Sequence, residues 1–130
     1  MMNIEEATSW WNNAIEAIKM AQFGITVSPN GAANRAYYAA FYAVSALFSL
    51  DDIEFKKHYA VESAVHRDLV NTGRWRPELG KKYSDLFKLR MVGDYGNTER
   101  VTTEEADAAI FDAREILEAV HKEHPDLFPL

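Results

Sequence analysis

The sequence predicts an all-α fold, an up-and-down bundle of four to five helices, and three observations predict it. Apolar residues recur at three- and four-residue steps in five stretches. Serine, threonine, proline and glycine fall where those stretches begin and end. No segment alternates apolar and polar residues with the two-residue period of a half-buried strand. With 130 residues, 48 % hydrophobic and 26 % charged, the chain is expected to form a single domain over residues 1–130 around one core.

The first helix is expected from Asn3 to Phe23, with Ile4, Ala7, Trp11, Ala14 or Ile15, Ile18 and Ala21 inward and Gly24 as its stop. Ser28-Pro29 reads as the next start, a capping hydroxyl followed by proline in the first turn. The second helix then runs to about Leu50 and is apolar around most of its circumference. That pattern belongs to a central helix. Its small face, Ala36, Ala39, Ala43 and Ala46, permits close approach by another helix, including one from a second subunit.

Asp51-Asp52 breaks the pattern. A third helix is expected from near Lys57 to Val70, with Tyr59, Val61, Val65 and Leu69 inward, ended by Asn71-Thr72-Gly73. Pro77 opens a fourth, through Leu79, Tyr83, Leu86, Phe87 and Leu89 to about Val92, with Gly93 as a left-handed stop. Asp94 to Val101 reads as a polar loop. Thr102 followed three residues later by Glu105 is a capping box for the last helix, which turns Ala106, Ile110, Ala113, Leu117 and Val120 inward and stops at Pro125.

There is no cysteine, so disulfides and thiolate metal sites are excluded and a cytoplasmic setting is the expectation. Met1 to Glu6 carries two acids and no base, unlike a secretory leader. The near-apolar stretch Ala36 to Leu50 is shorter than the roughly 20 residues that span a bilayer. No membrane association is expected. The net charge of −6 argues against indiscriminate nucleic-acid binding. Residues 56–100 nevertheless hold ten bases against six acids, while the rest holds four bases against fourteen. A basic middle on an acidic body suits a phosphate or an acidic partner, and equally a mixed solvated surface.

The six glycines are scattered singly, there is no HExxH pair, and no carboxylate–histidine cluster has metal spacing. No cofactor and no metal are therefore expected. His121 and His124, at the end of the last helix, are expected to face solvent. His58 and His66 lie eight residues apart and are not expected to share a helix face. Two segments carry candidate chemistry. Asn34-Arg35-Ala36-Tyr37-Tyr38-Ala39-Ala40-Phe41 sets an arginine and paired tyrosines near the start of the central helix. If Arg35 is buried it needs a carboxylate or phosphate; if it reaches the surface, the tyrosines merely pack. Leu89-Arg90-Met91-Val92-Gly93-Asp94-Tyr95-Gly96 gathers an arginine, an aspartate and a tyrosine at a helix end, either as a site or as a structural cap.

In these segments the sequence resembles the HEPN-domain family, in the branch with an "(S/N)RAYYAxF" second helix, a "KxH" or "KKH" before the third and an "RxxxDY" after the fourth. The matching residues are Asn34 to Phe41, Lys56-Lys57-His58, Val70 to Gly73, Arg90 with Asp94-Tyr95, and Glu104-Glu105-Ala106. The resemblance spans roughly residues 30–120. It implies a helical bundle and a homodimer that shares a cleft. It also implies a minimal nucleotidyltransferase partner of toxin–antitoxin type. Catalytic members of the family are metal-independent RNases with an R-x(4–6)-H motif. Histidine moves protons near neutral pH and arginine binds and stabilises phosphate. This chain has Arg90 but carries Tyr95 at the histidine position, and a tyrosine with pKa near ~10 is a poor base at neutral pH.

Three readings stay open. The first is a nucleotide- or RNA-phosphate-binding module using Arg35, Tyr38, His58 and Arg90. The second is a ribonuclease toxin with a variant site at Arg90, Asp94 and Tyr95, with His58 as an imidazole brought in from another helix. The third is a structural partner subunit whose Arg90-Asp94-Tyr95 segment only fixes a loop. By analogy with the family, Tyr95 is also a candidate for nucleotidylation by the partner.

Overall fold

The computed structural model describes residues 3–95 and 100–130, with only the backbone of Gly93, Asp94 and Tyr95. Among the described residues five α-helices follow one another: α1 (Ile4–Gly24), α2 (Pro29–Leu50), α3 (His58–Ala64), α4 (Pro77–Tyr95) and α5 (Thr103–Glu123). A π-helical stretch, Val65–Val70, continues α3. No strand occurs among the described residues. The all-α bundle predicted from periodicity is the observed fold.

The caps are those that the sequence announces. Ser28 Oγ accepts from Gly31 N at 3.0 Å, with Pro29 in the first turn of α2. Thr102 and Glu105 exchange side-chain and backbone hydrogen bonds, each 3.0 Å, at the start of α5. The first satisfies one, and the second two, of the amide groups that a helix start leaves without partners.

Helix α2 is the central element, with α1, α4 and α5 packed on it. Ala36, Ala39, Ala43 and Ala46 are each 0 % exposed. Neighbouring helices of the same chain fill the alanine face, so a second subunit has no access to it. The C-terminal tail closes one end of the core. Phe128 is fully buried against Trp11, with ring centroids 5.3 Å apart, and the Trp11 indole donates to the Pro129 carbonyl at 2.9 Å. His121 and His124 hold this tail instead of facing solvent. His121 Nδ1 lies 2.6 Å from the Phe128 carbonyl, and the His124 ring meets Phe128 edge-on.

Two further expectations change. Tyr59 is 60 % exposed, not inward. Val61, Val65 and Leu69 form the buried stripe, and a residue two positions from Val61 stands about 200° around the helix from it. Gly93 does not stop α4, which runs on to Tyr95. A glycine inside a helix costs only about 1 kcal/mol, which flanking helical residues outweigh.

A candidate phosphate site on paired tyrosines

The side chains of α2, α3 and α4 converge where the N-terminus of α3 meets the last turns of α4. Tyr37 and Tyr38 come from α2, His58 opens α3, and Arg90 comes from α4. The Arg90 guanidinium sits over both tyrosine rings, 5.4 Å from the centroid of Tyr37 and 5.6 Å from that of Tyr38. A guanidinium over two aromatic faces is held there by cation–π attraction, and the Arg90 Nε is buried in this contact region.

His58 reaches the same place. Its Nδ1 lies 2.8 Å from the Tyr37 hydroxyl, and its ring packs on Phe41 at 4.6 Å and edge-on to Tyr38 at 5.7 Å. Among the described residues the other ring nitrogen, Nε2, has no protein partner and is not buried. Burial, and then the Arg90 charge, hold the His58 pKa below the usual histidine value. The imidazole is therefore neutral near pH 7.

Tyr37 is completely buried, and burial pushes its ionisation well above the usual tyrosine range. Behind it, the Tyr83 hydroxyl is buried with no partner of good hydrogen-bond geometry, although the two hydroxyls interact. Burial likewise raises the Tyr83 pKa. Neither phenol ionises at neutral pH, so both remain hydrogen-bond donors.

A second polar group follows one turn along. Ser84 Oγ of α4 donates to Glu62 Oε2 at 2.6 Å and lies 2.7 Å from His66 Nε2. His66 Nε2 is also 3.5 Å from Glu62 Oε2. Glu62 and His66 thus face Ser84 of α4, while the hydrogen bond and ring contacts of His58 are with Tyr37, Tyr38 and Phe41 of α2. The serine stands between carboxylate and imidazole. It ties the π-helical stretch to α4.

Of the residues that the sequence singled out, Tyr38, His58 and Arg90 meet. Arg35 does not join them. It is half-buried on the α1 side of α2, where it lines two surface depressions with Asn13, Glu16, Met20 and Asn34. Among the described residues it forms no ion pair. The side chains of Asp94 and Tyr95 lie outside the described residues. The sequence singled out neither Tyr37 as a candidate site residue nor Glu62, His66 and Ser84 as a cluster; the i, i+4 spacing of Glu62 and His66 was the available signal for the latter. Among the described residues no three histidine, aspartate or glutamate side chains gather as a metal site, and no helix is long and apolar enough to cross a membrane.

A family model described as HEPN domain matches residues 7–124. The chain is 41 % identical over 98 residues to a UPF0332 protein of Thermotoga maritima, covering 75 % of this chain and 74 % of that protein. Two Methanocaldococcus jannaschii proteins, named "Putative toxin MJ0605" and "Putative toxin MJ0142", are each 32 % identical. They align over 68 % and 58 % of this chain. The alignments cover 65 % and 52 % of the lengths of those two proteins.

Proposed function

We infer the function of this chain from its family and its site: it belongs to the HEPN-domain family, and we propose that it binds the phosphate of a nucleotide or RNA at Arg90 and His58. One observation carries this reading. Arg90 lies on the faces of Tyr37 and Tyr38 beside a neutral imidazole whose Nε2 is accessible. A guanidinium supplies paired N–H donors for phosphate oxygens. A neutral imidazole adds one more donor or acceptor without requiring a second fixed positive charge.

In this proposal the protein acts as a homodimer in the cytoplasm, paired with a nucleotidyltransferase in a toxin–antitoxin arrangement. The toxin names of the two M. jannaschii relatives support the setting. Titration with ATP and with a short RNA tests the binding. Arg90→Ala is expected to weaken it roughly tenfold or more. Equal binding by the native protein and a folded Arg90→Ala variant removes Arg90 from the site. A variant that only melts earlier, with binding and complex formation intact, supports the structural-partner reading instead.

One observation favours a second reading, a metal-independent ribonuclease. The motif histidine is absent beside Tyr95, but α3 delivers His58 to the neighbourhood of Arg90. An imidazole there is suited to proton transfer at a 2′-hydroxyl or a leaving oxygen. Cleavage of RNA in EDTA by the native protein, lost in both Arg90→Ala and His58→Asn, establishes this reading. No cleavage by native protein excludes it.

A further inference from the structure

Tyr37 touches both functional groups of the site. Its ring face lies under Arg90 and its hydroxyl meets His58, while the side chain itself is 0 % exposed. A side chain so placed cannot contact a ligand, but it can decide how both groups are presented.

The direction of the Tyr37–His58 hydrogen bond follows from the buried donors. Tyr37 is buried, and His58 Nδ1 is the partner within hydrogen-bond geometry of its hydroxyl among the described residues. If Nδ1–H donated to Tyr37, the buried phenol proton would be left with no acceptor. If Tyr37 donates to Nδ1, that proton is satisfied. Leaving a buried donor unsatisfied is the costlier state, so the second arrangement prevails. With Nδ1 as acceptor, the single imidazole proton resides on Nε2.

We propose that Tyr37 is the positioning residue of this site: its hydroxyl fixes His58 in the tautomer that presents Nε2–H to a phosphate oxygen, while its ring seats Arg90. The proposal deepens the phosphate-binding reading and rests on it. That reading fixes the order of events. The imidazole donates to the anion on arrival and has no free lone pair at Nε2. Acting as a base would first require it to pass its proton on.

The test begins with the native protein, so it does not depend on a variant folding. Nitrogen-15 correlation spectra of His58 at neutral pH are expected to show the Nε2-protonated tautomer. The Nδ1-protonated form in native protein overturns the proposal. Tyr37→Phe keeps the ring under Arg90 and removes only the hydroxyl. Once shown by its melting curve to be folded, it is expected to give a mixture of tautomers. It should also bind a dinucleoside monophosphate several-fold more weakly. An unchanged His58 tautomer in Tyr37→Phe overturns the positioning role. If the native protein shows the expected tautomer but does not bind the dinucleoside monophosphate, the phosphate-binding reading fails and the tautomer assignment stands.

Discussion

Gly80→Ala sets a favourable helix substitution against a steric conflict, and the structure decides which wins. Gly80 lies in the first turns of α4, where replacing glycine with alanine normally stabilises by about 1 kcal/mol. Here a Cβ would stand 2.6 Å from Val70 Cγ2 and 3.1 Å from both Cε1 and Nδ1 of His66. Neither neighbour gives way easily. Valine is stiff at χ1, and His66 is held by Ser84 at 2.7 Å. Overpacking of this kind costs about 1–3 kcal/mol, and displacing His66 also loosens its hydrogen bond to Ser84. The net expectation is destabilisation of about 1 kcal/mol, a fall in Tm of about 4 °C for a chain of this size. Urea denaturation and thermal melts read it directly. The double variant Gly80→Ala with Val70→Ala should recover part of the loss relative to Val70→Ala alone, because the closest clash is gone. A Gly80→Ala protein more stable than the native one would refute the close approach of α4 to the π-helical stretch.

Two further outcomes follow from the same structure. The His58 pKa is lower in the folded chain than the ordinary 6.5, so below about pH 6.5 the unfolded chain binds a proton that the folded one resists. Stability contributed by this residue is complete above that pH and declines as pH falls towards the folded value. His58→Asn keeps an acceptor for Tyr37 but does not titrate, so its urea midpoint should fall less with acidification than that of native protein. Equal slopes would remove His58 from a buried, cation-facing position. Phe128→Ala should cost about 3 kcal/mol and shift Trp11 fluorescence to the red, because Phe128 is fully buried on that indole. An unchanged spectrum would show that the tail does not seal this end of the bundle.

The helices were legible in the sequence because each is specified locally and redundantly. Ser28-Pro29 and Thr102 with Glu105 place two starts to the residue, and the apolar stripes of α1, α2 and α5 agree with those caps. Gly93 looks like a stop, yet its helical neighbours carry α4 through it. The other misreadings lie where a long-range contact overrides a local signal. His121 and His124 look solvent-facing, and only the returning tail gives them partners. Arg35 and Arg90 are equivalent as residue types, but α1 takes one side of α2 and α4 another, so only Arg90 comes to lie over Tyr37 and Tyr38. The site was half legible for the same reason. Motif residues on α2, α3 and α4 can be picked out singly, whereas the buried hydroxyl that joins His58 to the others belongs to an apparently ordinary core tyrosine.

The most direct test of the central claim is a crystal structure of the protein soaked with a 5′-mononucleotide. Phosphate density is expected within hydrogen-bond distance of both His58 Nε2 and the Arg90 guanidinium, with the Tyr37 and Tyr38 rings still behind the arginine. Phosphate bound instead in the α1–α2 depressions at Arg35, with the Arg90 site empty, would contradict it.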